Sequence, residues 1–175
     1  DSKNFYGRLM HNGNSGVITI NRSIPEGGVR RFTLAHEIGH FINEKNLRSM
    51  ETGLDVSYFE NLYRCVENDF TSTNKIKKRE TNANEFAAEL LMHRPWFNNF
   101  IIKRDINFEL IKEAANYFKV SLSAAALRYV NIGKYPTAIV YSKDGIIKWS
   151  AFHDHFPFKF IRNETKVHKE TSAYD

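Results

Sequence analysis

Apolar and polar positions change rhythm several times along the chain. Near the start, Val17-Ile18-Thr19-Ile20 forms a short β-branched run between turn signals: Gly13 and Gly16 before it, Pro25, Gly27 and Gly28 after. This predicts one strand between turns. From about Val29 to Lys45 the spacing lengthens to that of a helix. Residues 46–78 are polar and uneven, with a short helix expected around Tyr58–Val66. A second strong helix is predicted from Arg79 to Met92, stopping before Pro95. Two more follow, over Phe108–Phe118 and Ser123–Asn131, with Ser121 or Ser123 able to cap the latter. Then Thr137-Ala138-Ile139-Val140-Tyr141 and Ile146-Ile147-Lys148-Trp149 flank Lys143-Asp144-Gly145, a hairpin signal. Helices in the middle and strands at both ends give an α+β fold.

Composition bounds this picture. At 175 residues, with 14 Phe, 8 Tyr and 2 Trp, the chain is large and aromatic enough to bury a core, which excludes a disordered chain. The lone Cys65 excludes an internal disulfide and a Cys-only zinc site, and fits a reducing cytoplasm. No apolar run approaches membrane-spanning length, and no signal segment opens the sequence. The net charge of +5 is mildly basic and permits, without requiring, an acidic partner or nucleic acid. Its densest basic run, Lys75–Arg79, reads as a solvated loop or helix start. The chain opens on Asp1 and closes on a β-rich stretch, so the natural protein is expected to be longer.

The chemistry is concentrated in His36-Glu37-Ile38-Gly39-His40. On a helix, positions i and i+4 share a face, so two imidazoles at this spacing can ligate one zinc ion. The intervening Glu37 is rotated to the side, where it can hold a zinc-bound water. The pattern arises by chance in about 0.5% of chains of this length, so it is informative. Leu34, Ile38, Phe41 and Ile42 are predicted to form one apolar stripe, and Val29 and Phe32 flank the histidine side. Both sides therefore read as buried or semi-buried, and enclosed imidazoles need partners.

A catalytic zinc takes three protein ligands and keeps one position open. The candidate source of the third is Glu80-Thr81-Asn82-Ala83-Asn84-Glu85-Phe86-Ala87-Ala88-Glu89-Leu90-Leu91-Met92. Helical spacing puts Glu80 with Ala83, Asn84, Ala87 and Leu91, and Glu85 and Glu89 on the opposite, solvated side. Small alanines on Glu80's side allow another helix to approach closely. Glu80 is therefore the expected third ligand, and Asn84, one turn on, is placed to hydrogen-bond a ligand.

The run Arg31-Phe32-Thr33-Leu34-Ala35-His36-Glu37-Ile38-Gly39-His40, with Glu80-x-x-Ala83-Asn84-x-Phe86-Ala87-Ala88-Glu89-Leu90-Leu91-Met92, resembles the ImmA/IrrE family of bacterial and phage zinc metallopeptidases. Val17–Asn21, Phe118-Lys119-Val120-Ser121 and Arg128 also fit its pattern, so the resemblance covers about residues 15–135. It implies a zincin-like helical core, with a short N-terminal sheet and a C-terminal β-hairpin region. It implies Zn2+ as cofactor, His36, His40 and Glu80 as its ligands, and Glu37 as the catalytic glutamate. Its implied substrate is a helix-turn-helix transcriptional repressor, cut at a limited site to relieve repression in a mobile element, phage-type switch or stress response. The expected organisation is a peptidase domain over 1–135 and a β-rich extension over 136–175, either the start of a sensor-like domain or only an edge hairpin. An activating ligand, nucleic acid or protein is expected as trigger. The family usually reads Leu-Leu-Met-Pro, whereas here Leu91-Met92 is followed by His93-Arg94-Pro95, which leaves His93 as an extra, incidental imidazole.

Other features have plainer readings. Residues 108–132 have a helix-turn-helix cadence. The alternative function is thus a DNA-binding or protein-interaction module with a non-catalytic zinc site. Its second helix offers little to read bases before Arg128, which favours a packed helical pair. His153 and His155 could share a strand face, and are expected to be surface or edge-strand histidines. The oxyanion donor stays open among Arg128, Tyr129, His93 and His153. Residues 161–175 read as a frayed tail or the start of a further region.

Overall fold

The computed structural model describes residues 5–50, 63–64, 74–158 and 160–171. In chain order its elements are β1 (Gly7–His11), β2 (Gly16–Ile20), α1 (Gly27–Met50), β3 (Tyr63–Arg64), α2 (Asn74–Leu91), α3 (Arg94–Ile101), α4 (Phe108–Phe118), α5 (Leu122–Ile132), β4 (Ala138–Lys143) and β5 (Ile146–Phe152). Helices with two small antiparallel sheets make the class α+β, as predicted. The chain forms two compact units: Asp1–His93 with Phe118–Ser121, and Arg94–Tyr117 with Leu122–Asp175. Residue 135, the boundary expected from sequence, falls inside the second unit.

In the first unit the sheet runs in the order β2-β1-β3, with β1 in the centre. β1 was not expected, because its only buried apolar side chain is Leu9, while Met10 is half exposed. The signal that could have found it is Asn12-Gly13. There the Asn12 side chain accepts hydrogen bonds from the Ser15 and Asn14 amides at 2.9 and 3.0 Å, and Gly13 takes a φ of 95°. Tyr63 and Arg64 pair with Leu9 and Arg8, so they form a strand where a helix over Tyr58–Val66 was expected. Pairing the second edge of β1 satisfies backbone groups that a helix would leave open. The rest of that expected helix lies outside the described residues.

α1 is longer than its predicted span, and α2 begins five residues before Arg79, taking the Lys75–Arg79 run into its first turns. The two helices touch closely where the side chains are smallest. A Cβ added to Gly39 would lie 3.2 Å from both the Cα and the carbonyl oxygen of Ala83. Ala83 and Ala87 are fully buried. At the other end of α1, a Cβ on Gly28 would lie 2.5 Å from the Val120 carbonyl carbon, and Arg31 Nε donates to the Lys119 carbonyl at 2.7 Å.

In the second unit α3 is an addition to the predicted set. Pro95 ends one helical pattern, and it also suits the first turn of the next helix, where its missing N–H is no loss. Phe97 and Ile101 anchor α3. Asn107 caps α4 by accepting from the Leu110 amide at 2.8 Å, and Leu110, Ile111, Ala114 and Ala115 are buried. The β4–β5 hairpin turns through Asp144 and Gly145, both at positive φ (53° and 69°), as a type I′ turn requires. Residues 164–167 are not frayed. Ile147 N donates to Thr165 O and Val167 N to Gly145 O, each at 2.8 Å, and the Val167 side chain is buried. Among the described residues, no helix is long and apolar enough to cross a membrane.

Candidate metal centre

α1 buries the wrong side of its hydrophobicity pattern. Thr33, Ala35, His36, Glu37 and His40 are buried, whereas Leu34 is 42% exposed. Ile38, Phe41 and Ile42 are only half-buried. The expected apolar stripe is therefore not the helix's inner face. The sheet and α2 pack instead on the polar side, which brings two imidazoles and a carboxylate indoors. Such burial is unfavourable unless each group finds a partner.

The imidazoles converge with the carboxylate predicted to join them. His36 Nε2 and His40 Nε2 are 2.9 Å apart. Glu80 reaches both, with Oε2 3.3 Å from His36 Nε2 and Oε1 3.2 Å from His40 Nε2. Gly39, lodged against Ala83, allows α2 close enough for this. One turn beyond Glu80, Asn84 Oδ1 accepts from His36 Nδ1 at 2.8 Å. With Nδ1 donating to Asn84, Nε2 is the His36 atom that would ligate a bound metal ion.

That donor set fits a metal ion. Ligand atoms at about 2.0–2.1 Å from a tetrahedral zinc stand roughly 3.3 Å from one another. The observed separations of 2.9, 3.2 and 3.3 Å lie close to this. Lone pairs converging on one point repel unless a proton or cation lies among them. Among the described residues, His36, His40 and Glu80 are the group able to hold a metal ion. Partial burial pulls the Glu80 pKa upward, but hydrogen bonds from His36 and His40 and their charge prevail, lowering it from 4.5 to about 2. Glu80 is thus a carboxylate at any ordinary pH.

Glu37 is fully buried on the side of α1 facing β1. Of the other glutamates on α2, Glu85 is exposed, and Glu89 Oε1 lies 3.8 Å from His93 Nε2, both side chains nearly half exposed. His93 is therefore Glu89's neighbour.

The remaining chemical candidates, Arg128, Tyr129 and His153, belong to the second unit. Arg128 is only 6% exposed, so it does not present a base-reading group to DNA. Burial, and then the nearby Tyr135, raises the Tyr129 phenol pKa. His153 and His155 do not share a strand face. They sit in the turn after β5, where His153 Nδ1 accepts from the His155 amide at 3.1 Å. The chain breaks off the strand here because Asp154 and Pro157 favour a turn.

A family comparison decides what this constellation belongs to. The model for the IrrE N-terminal-like domain, Peptidase_M78, matches residues 1–129. The chain belongs to this peptidase family. No curated protein matches it. The Peptidase_M78 match takes in β1 through α2 and ends within α5, so the His36–His40–Glu80 group lies inside it. Membership supports a metallopeptidase, and the converging donors are compatible with its metal.

Proposed function

We propose that the chain is a zinc-dependent endopeptidase that makes a limited cut in a helix-turn-helix transcriptional repressor. The observation that carries the zinc assignment is the convergence of His36 Nε2, His40 Nε2 and the Glu80 carboxylate. These three residues would hold the ion, and Asn84 would fix the His36 ring in the tautomer that ligates through Nε2. Zinc in such a site supplies Lewis acidity to a peptide carbonyl and lowers the pKa of water. Glu37 acts as the base that takes a proton from the attacking water and returns it to the leaving amine. Its burial excludes bulk water, which would otherwise compete for that proton.

The repressor rests on the sequence resemblance, in which this site relieves repression by proteolysis. Such a substrate places the enzyme in the cytoplasm, consistent with a single cysteine. Unchecked cutting would abolish repression, so an activating ligand, nucleic acid or protein governs it. The DNA-binding alternative loses its main reader, since Arg128 is buried.

The test is incubation of the zinc-loaded protein with the helix-turn-helix repressor encoded beside its gene, followed by mass spectrometry. The wild type should yield two fragments. Glu37→Gln should bind zinc equally and lower the rate on the order of 10²–10⁴-fold, the usual worth of general acid–base catalysis. Undiminished cleavage by Glu37→Gln would remove Glu37 from the mechanism. An intact repressor under all triggers would remove the substrate.

A further inference from the structure

Gly7 opens β1 directly over the buried face of α1. A Cβ built on it would lie 2.8 Å from Glu37 Oε1, 3.2 Å from Glu37 Cγ and 2.5 Å from Thr33 Cγ2. Contacts under about 3.0 Å are not tolerated by real Cβ atoms. Conformation does not explain the glycine, since Gly7 is not among the residues at positive φ. What matters is the space that a side chain would fill.

None of the three surfaces can readily withdraw. β1 is the central strand, paired through Gly7↔Ile20 on one side and through Arg8↔Arg64 and Leu9↔Tyr63 on the other. The chain just before it is tied down as well. Asn21 N donates to Tyr6 O at 2.9 Å, and Asn21 Nδ2 donates to Phe5 O at 2.8 Å. Thr33 is held by its hydroxyl, which donates to the Val29 carbonyl at 3.0 Å. Glu37 is fully enclosed. The most mobile of the three is the Glu37 carboxyl group, at the end of its side chain, so it is the part that a larger residue at position 7 would displace.

We infer that Gly7 is a positioning residue for Glu37: its bare backbone forms the wall against which the Glu37 carboxylate is set. The inference rests on the peptidase reading for its consequence in catalysis, but its geometry stands without it. The metal-ligand side chains are not among the atoms that a Cβ at position 7 meets most closely. Gly7 therefore governs proton transfer separately from metal binding. A misplacement of about 1 Å in a reacting group can slow a reaction on the order of 10²-fold.

Two contacts with different roles make the inference testable. Gly7→Ala presses on both the Thr33 methyl group and the Glu37 carboxylate. Thr33→Ser removes the methyl and keeps the hydroxyl. In the full chain loaded with zinc, Gly7→Ala should leave zinc affinity within a few-fold of wild type. It should lower kcat toward the repressor about 100-fold, with little change in KM. Adding Thr33→Ser should recover the melting temperature lost in Gly7→Ala while kcat stays low. Recovery of both together would show that Gly7 serves only packing and would overturn the inference.

A second readout needs neither zinc nor substrate. In metal-free protein labelled with carboxyl-13C glutamate, the Glu37 resonance, assigned by its loss in Glu37→Gln, should move in Gly7→Ala and stay in place in Thr33→Ser. An unmoved resonance in folded Gly7→Ala would overturn the inference by itself. If the wild type cuts no repressor but this resonance moves, the proposed function fails and the positioning role stands.

Discussion

α1 and α4 illustrate two ways of burying a helix. α4 hides Leu110, Ile111, Ala114 and Ala115 and turns Glu109, Lys112 and Glu113 outward, so its inner face is an apolar one, although Phe108 and Tyr117 near its ends stay exposed. α1 hides Thr33, His36, Glu37 and His40 and leaves Leu34 42% exposed. Burial of α4 is driven by loss of apolar surface to water. Burial of α1 opposes that preference and is sustained by specific partners: Asn84 on His36, Glu80 against both imidazoles, and a metal ion where bound. A helix that buries its polar residues in this way marks a site, because a scaffold gains nothing from it.

The contrast predicts that changes on α1's side will act through the metal, and changes on α4 through stability alone. The largest effect is expected from Glu80→Ala. Structural zinc sites bind with about 10–16 kcal/mol over four ligands, so one ligand is worth roughly 2.5–4 kcal/mol, or about 60- to 700-fold in affinity. Competition with a chromogenic chelator measures it, and full zinc occupancy at equimolar metal would remove Glu80 from the ligand set. Leu110→Ala should come next, lowering unfolding free energy by about 2–5 kcal/mol in urea while leaving zinc affinity unaltered. A parallel loss of zinc would mean that the two helices are not separable in role.

Asn84→Ala is expected to weaken zinc binding about 10–100-fold, the usual effect of losing a group that orients a ligand. Because Asn84 is the acceptor for the buried His36 Nδ1, the metal-free protein should also lose about 1–3 kcal/mol, read as a lower melting temperature. The smallest effect concerns acid. Folding lowers the Glu80 pKa from 4.5 to about 2. Its stabilising contribution in metal-free protein is therefore complete above pH 4.5 and is lost as pH falls toward 2. Glu80 is 40% exposed, so solvent screening keeps this below about 1 kcal/mol. Urea titrations between pH 2 and 5 should show a shallower acid limb in Glu80→Gln than in wild type; identical limbs would contradict the shift.

Much of the site could be read from residue spacing. His36 and His40 are four apart, and a helix allows few places for such a pair to point. Glu80 could be chosen over Glu85 and Glu89 because it alone shares a side with the small, buried Ala83 and Ala87, of which Ala83 meets Gly39 of α1. Strands were harder. β1 holds one buried apolar side chain and β3 only two residues, too few for an alternating pattern to show. α3 was hidden because Pro95 reads as a stop, and a proline in the first turn of a helix looks the same in sequence. Gly7 offered no signal at all, since its meaning lies in what stands opposite it.

The sequence alone determined the chemistry available: two imidazoles and a glutamate on one helix, a carboxylate on a small-faced second helix, and an α+β arrangement of elements. Local rules suffice there, because helical periodicity and hairpin turns are set within a few residues. Tertiary structure decided which face of α1 went inside, that Gly39 meets Ala83, and that Gly7 meets Glu37. Those outcomes depend on distances between segments far apart in the chain. No periodicity records them, and they arise only when the sheet and α2 compete for the surface of α1.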